Sequence, residues 1–173
     1  MKKLPLSIIT TSFILLSCMN ILFSQSGYTV GLNGSYPVVT GSYFTGPETR
    51  TGPSVGVHVG TPYSFDLGPY SVGVGLGIEI ANLGAVDGYN YTGYYLSLST
   101  IIYELSSGPI SILGSFGMYD GLAATGAVMY DLIIENVPLV LQPYARTTVL
   151  FDASGEGNAS YLMSIGAMIN YSF

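Results

Sequence analysis

From Tyr161 to Phe173 every second side chain is apolar: Tyr161, Met163, Ile165, Ala167, Ile169, Tyr171 and Phe173. Between them stand Ser164, Gly166, Asn170 and Ser172, with Leu162 and Met168 as exceptions. A period of two sustained over this length is strand periodicity, with one face built for an apolar medium. Strands of soluble domains are usually about five or six residues long. A tilted strand needs about nine to eleven residues to cross a bilayer, so this segment is long enough to cross and emerge slightly.

The same alternation recurs upstream. Tyr28, Val30, Leu32 and Tyr36 share one face of a first segment, against Thr29, Gly31, Asn33 and Ser35. A second sets Val55, Val57, Val59, Thr61, Tyr63 and Phe65 against Ser54, Gly56, His58, Gly60 and Ser64. The third is the most regular: Tyr70, Val72, Val74, Leu76, Ile78 and Ile80 alternate with Ser71, Gly73, Gly75, Gly77, Glu79 and Ala81. The fourth runs Tyr94, Leu96, Leu98, Thr100 and Ile102 against Tyr95, Ser97 and Ser99, its phase blurring near Ile101 and Tyr103. Ile110, Ile112, Phe116 and Met118 mark a fifth, and Leu122, Ala124, Val128 and Tyr130 a sixth. The seventh places Leu139, Leu141, Ala145, Val149 and Phe151 opposite Gln142, Tyr144, Arg146 and Thr148. The C-terminal run is the eighth. No helical period is sustained after residue 26.

The connections alternate in kind. Asp66-Leu67-Gly68-Pro69, Glu104 to Pro109 and Asp131 to Pro138 form a weak repeat of short, turn-forming segments, each preceded by an aromatic (Phe65, Tyr103, Tyr130). Val39 to Gly52, Gly84 to Tyr91 and Asp152 to Ala159 are longer and polar, and Asp120-Gly121 is the short exception. Short turns at one end, longer loops at the other and aromatics beside the short turns predict an all-β fold. It is an eight-stranded antiparallel up-and-down transmembrane barrel, with the chain's 15 tyrosines available for interfacial girdles. A secreted β-sandwich also alternates. Its outer polar face would carry Lys, Glu and Thr, whereas here the minor face is Gly, Ser, Ala and Tyr, suited to a narrow enclosed interior.

Lys2 and Lys3, the apolar run Leu4 to Phe23 and then Ser24-Gln25-Ser26 read as a secretory signal peptide over 1–26. A retained N-terminal membrane helix is the competing reading of that run. Leu15-Leu16-Ser17-Cys18 also resembles a lipobox, which would leave Cys18 as a lipidated N-terminus. Residues 27–173 then form one domain. It carries Arg50 and Arg146 against ten acidic groups, a net charge of −8, and no cysteine. Disulfides and cysteine-ligated metals are excluded. Nucleic acid is disfavoured, because phosphate contacts need basic side chains. Only 8% of the chain is charged, whereas a soluble domain devotes about a quarter of its residues to charge.

If the apolar face meets lipid, His58, Glu79 and Arg146 lie inside. Glu79 stands nine residues after Tyr70, Arg146 nine after Val137 and His58 nine before Leu67, which predicts a similar height for all three. An eight-stranded interior is just wide enough for side chains to fill. Arg146 is therefore expected to reach across to Glu79, with His58 beside the acid, as a polar plug. Pro143 is expected to shift the register nearby. The glycines of the second and third segments leave room for Tyr144, Met129 and Met168, or reflect the curvature of a small barrel. One histidine and no cysteine cannot supply a usual transition-metal set, so neither a metal nor another cofactor is expected. The remaining surface is in the loops: Tyr43, Phe44, Glu48 and Arg50 in one, Asp87, Tyr89 and Tyr91 in another.

A chain ending Tyr171-Ser172-Phe173 after eight such segments resembles the small outer-membrane β-barrel proteins of the OmpA-barrel and OmpX-like kind, whose C-terminal aromatic is an assembly signal. The resemblance covers everything after residue 26. It implies integral residence in the bacterial outer membrane, contact with outer-membrane lipid, and delivery by periplasmic chaperones to the barrel-assembly machinery. It further implies a structural or surface-facing role with no appended peptidoglycan-binding domain. A narrow pore for small solutes, or adhesion to an external ligand through the loops, are the alternatives. Some barrels of this architecture are lipid A acyltransferases or deacylases, which need a His with Ser and an acid. His58 is followed by Val59-Gly60 and points inward, so no enzymatic activity is expected.

Overall fold

The computed structural model describes residues 27–40, 52–82, 90–119, 121–134, 136–151 and 159–173. Residues 1–26, including Cys18, and Tyr43, Phe44, Glu48, Arg50, Asp87 and Tyr89 lie outside them. The strands are β1 (Thr29–Thr40), β2 (Ser54–Leu67), β3 (Tyr70–Asn82), β4 (Asn90–Leu105), β5 (Gly108–Met118), β6 (Leu122–Tyr130), a two-residue β7 (Leu132–Ile133), β8 (Leu139–Phe151) and β9 (Ala159–Ser172). Each long strand pairs antiparallel with its neighbours in sequence, β9 returns to β1, and β6 pairs with β8. The sheet closes on itself through the β6–β8 ladder. Short β7 resumes the line of β6 after a break at Asp131, so the wall has eight staves, as the alternation predicts.

Closure follows from the sequence pattern. Outward positions expose Leu32, Leu76, Ile80, Leu96, Ile165 and Ile169, while Ser54, Glu79, Ser97 and Ser164 are buried inside. Every charged residue of the described strands falls on the inward phase. With no water in a bilayer core to satisfy backbone groups, only a closed ladder can present such a surface to lipid. Two aromatic belts frame it: Tyr63, Phe65, Tyr70, Tyr103 and Tyr171 near the short turns, and Tyr36, Tyr94, Phe116, Phe151 and Tyr161 towards the long loops. Tyr161 and Tyr171 are ten residues apart on β9, which at about 3.3 Å per residue and a tilt of about 40° gives a band roughly 25 Å tall.

Three irregularities adjust the wall. Gly60 pairs with Gly75 but Ser64 with Gly73, so β2 spends two extra residues there. Pro62 lacks an N–H and cannot continue the ladder, and a bulge is where a strand tolerates it. One extra residue on β1 lies between Pro37 and Val39. Another on β4, between Ile101 and Tyr103, is the source of the blurred phase in that segment. The first hairpin turns at Gly68, whose φ of 62° suits a primed two-residue turn.

Three expectations need correction. Pro143 shifts nothing: β8 pairs with β9 in unbroken register from Leu139 to Phe151. Its missing donor falls opposite the gap between β6 and β7, where the ladder is already interrupted. The third short connection does not begin at Asp131, because β7 still pairs with β8 and the chain reverses beyond it, around Asn136 at a φ of 64°. Tyr91 belongs to β4 and not to a loop, since the β3–β4 ladder extends to Asn82 and Asn90.

Gly77 shows how the interior is fitted. A Cβ there would collide with the Tyr95 ring, whereas a Cβ on outward Gly114 would meet nothing within 4 Å. Gly77→Ala should therefore cost roughly 1–3 kcal/mol through overpacking, with Gly114→Ala within about 0.5 kcal/mol of the parent. Urea unfolding in lipid vesicles measures both.

Candidate functional site

One ion pair spans the bore. Arg146 projects inward from β8 and Glu79 from β3, on opposite sides of the barrel, and they meet in a fork. Arg146 Nη1 donates to Glu79 Oε2 at 2.7 Å and Nη2 donates to Glu79 Oε1. Paired parallel bonds of this kind are the strong form of a charged contact. Three serine hydroxyls also accept from this guanidinium. Nε reaches Ser164 Oγ on β9 at 3.1 Å, and Nη2 reaches Ser35 Oγ on β1 and Ser54 Oγ on β2, each at 2.9 Å. Ser35 and Ser54 hydroxyls are themselves 2.7 Å apart. Tyr119 donates its hydroxyl to Glu79 Oε2 at 3.2 Å, and the Tyr144 ring lies 5.8 Å from the guanidinium carbon.

The pair is enclosed on both sides. Glu79 is 1% exposed. Towards the long loops, Ala81, Ala123, Leu150 and Leu162 form an apolar layer with Tyr119 packed against it. Towards the short turns, a gap of about 40 Å³ separates the pair from Asn33, Met129, Met168 and Tyr95. That gap is large enough for about one water.

His58 is one layer lower than its count from Leu67 predicts. It pairs with Gly77, while Glu79 pairs with Gly56, because the two extra residues near Thr61-Pro62 lengthen β2 in sequence without adding height. It therefore does not stand beside the acid. Its Nε2 instead makes a 2.8 Å hydrogen bond with Ser97 Oγ of β4, and its ring stacks at 6.2 Å over Tyr95. Gly75 and Gly77 between these strands leave room for that contact. The His58–Ser97 pair faces the interior, and Ser97 is 2% exposed. Glu79 is committed to Arg146 and Tyr119 and does not orient this imidazole.

The room foreseen for Tyr144, Met129 and Met168 is distributed differently. Tyr144 rests against Gly166 of β9, Met168 against Gly31 of β1, and the β3 glycines accommodate His58 and Tyr95. Sequence reasoning missed Ser35, Ser54 and Ser164 as partners of Arg146. Their inward phase was visible; their height was not, because it depends on the register between staves. Tyr119 follows the last residue of β5 and lay in no alternating segment.

At the C-terminal strand, Tyr171 pairs with Leu139 and with Val30, and its ring meets Phe173 edge-on at 4.5 Å. Phe173 N donates to Tyr28 O at 3.0 Å, and Gly27 N donates to Phe173 O at 3.1 Å. The last strand is thereby stitched to the first at the short-turn end.

These features define a closed eight-stranded antiparallel β-barrel with an apolar exterior and an ion-paired interior. Among solved structures, the chain is similar to Neisserial surface protein A (TM-score 0.48, 9% identity, covering 86% of this chain and 98% of that one). It is also similar to the Yersinia pestis outer membrane protein Ail in a phospholipid bilayer nanodisc (TM-score 0.46, 10% identity, covering 86% of this chain and 100% of that one). No family model and no curated protein matches the chain.

Removing one member of a buried pair strands the other charge, so Arg146→Ala and Glu79→Ala should each lower stability by roughly 3–5 kcal/mol. The double replacement Arg146→Met with Glu79→Leu should recover most of that loss, because neither charge is then left unpaired. Unfolding by urea in vesicles reports all three.

Proposed function

We propose that this protein is an integral barrel of the bacterial outer membrane with a structural or surface-facing role and a closed bore. The observation that carries this reading is the combination of a charge-free outer band and an interior shut by the Arg146–Glu79 layer. A wall apolar outside and polar inside suits a lipid environment, and the eight-stave barrel is the small form of that architecture. Outer-membrane lipid is then the principal partner of the band. Tyr171 and Phe173, paired against β1, serve as the assembly signal presented to chaperones and the barrel-assembly machinery during insertion. Chemistry at the barrel plays no part in this reading. The histidine is inside, bonded to a buried serine, away from any lipid substrate.

Two measurements test it. The protein should fractionate with outer membranes and migrate differently on a cold SDS gel before and after boiling, as a detergent-resistant closed barrel does. Recovery in the soluble fraction with no heat shift would overturn the proposal. In planar bilayers the intact protein should give no conductance steps; steady channel currents from the wild-type barrel would show that the ion-paired layer does not seal it.

A further inference from the structure

Below the small gap under the ion pair, the bore widens towards the short turns into a cavity of about 320 Å³. Four side chains line both spaces: His58, Leu113, Met129 and Met168. They form the neck between gap and cavity. Leu113 is inert, but the other three each carry a donor atom, an imidazole nitrogen or a thioether sulfur. All three of these side chains are buried.

They converge from three staves. His58 stands on β2 and Met129 on β6, which lie opposite each other in the wall. A bore of this width lets facing side chains meet. Met168 comes from β9, and its Sδ lies over Gly31, the β1 residue paired with His58. A Cβ on Gly31 would stand 2.9 Å from that sulfur, so the glycine is what admits the thioether beside the histidine. The imidazole is held from behind. Its bond to Ser97 engages Nε2, and with the proton on Nε2 the other nitrogen, Nδ1, keeps its lone pair. Metal-bound imidazoles are fixed in this way, one ring nitrogen donating to the protein while the other binds. The stack on Tyr95 sets the plane of the ring.

One histidine and no cysteine exclude the usual zinc and iron sets, but an imidazole with two thioethers is a different donor set. It is soft and uncharged, the chemistry that selects Cu(I) over harder ions. Hard cations need oxygen ligands, and the acid lining the gap, Glu79, is bonded to Arg146 and Tyr119. Size agrees, because a gap of about 40 Å³ suits one dehydrated ion and is too small for an organic ligand. So does charge. Above the neck, Glu79 and Arg146 pair with each other. Below it Asp131 lines the cavity, and Asp66 and Glu104 fall on the inward phase at the same mouth. Carboxylates around a low-dielectric opening concentrate cations there, on the path that leads to the neck.

We infer that the neck of the bore is a binding site for one soft monovalent metal ion of the Cu(I) type, held by His58 Nδ1 and the sulfurs of Met129 and Met168. The ion enters through the short-turn cavity and stops where the donors meet, beneath the ion pair. This goes beyond a structural role for the barrel, and it rests on the fold and not on the cellular location.

The test uses the full barrel refolded in detergent micelles with ¹³C-methyl methionine, titrated with silver nitrate in chloride-free buffer. Ag(I) is the redox-inert probe of such a site. The Met129 and Met168 methyl signals should shift together and saturate at one ion per barrel, while those of outward-facing Met118 and Met163 stay in place. Cu(I) kept reduced with ascorbate should reproduce the shifts, and zinc should not. Met129→Leu and Met168→Leu nearly conserve volume and should each weaken binding about tenfold or more, since even losing a group that orients a metal ligand costs about 10–100-fold. No saturable shift at the two inner methionines would overturn the inference. So would an equal shift at Met118 and Met163, an equal response to zinc, or unchanged affinity in the folded leucine variants. The comparisons on the parent protein keep the test decisive if a variant does not fold. The heat shift on a cold gel, read on the same samples, separates failure of the site from failure of the barrel.

Discussion

A wall that turns its apolar side chains outward leaves everything polar to be satisfied within, and in this barrel Arg146 carries most of that burden. Its guanidinium bonds to side chains from β1, β2, β3 and β9 while standing on β8. An aqueous protein would leave such a cation at its surface. Here the outer face is apolar, so the charge is turned inside, and once inside it needs hydrogen-bond acceptors. The bidentate acid and three serines accept from Nε, Nη1 and Nη2. The same contact therefore pairs the two charges with each other and ties opposite staves together across the bore. Buried ion pairs are often no more stabilising than the apolar residues that could replace them, and fixing one register is their better-attested use. The bonds to four staves fit that use, since a slip of any of them would misplace a partner.

Around this layer the interior is divided. An apolar layer of Ala81, Ala123, Leu150 and Leu162 lies on the loop side, and the methionines with Tyr95 and Tyr144 lie on the other. The densely packed stretch occupies the upper part of the bore only. Nearer the short turns much of the lining is Gly, Ser and Thr, which are too small to meet across the barrel, and a cavity remains. The difference is one of side-chain volume: an interior that eight staves leave just wide enough to fill is filled where Arg, Tyr and Met supply bulk. It stays open where they do not.

Prolines show how the wall absorbs residues that a ladder cannot. Pro62 sits in a bulge of two extra residues, so the alternation of β2 resumes in phase and Tyr63 and Phe65 still face outward. The bulge is silent in the hydrophobic pattern yet lowers His58 by one layer. Pro143 leaves its own register intact because the neighbouring stave is already broken at Asp131. That break turns the Asp131 carboxyl onto Ser111 and Gln142.

Fold class, strand number and the inward phase of Glu79, Arg146 and His58 were legible in the sequence alone. A period of two is a local property, and which side faces lipid follows from which side carries charge. Opposition of Glu79 and Arg146 could be counted from the short turns, because β3 and the upper part of β8 contain no bulge. What only the tertiary structure decided is height and neighbourhood across staves. His58 meets Ser97 and not Glu79, Tyr119 joins the acid from beyond the end of β5, and Asp131 lines a cavity instead of starting a turn. Each depends on bulges and breaks that insert residues without disturbing local alternation. Register is a relation between strands, and a pattern read along one strand does not contain it.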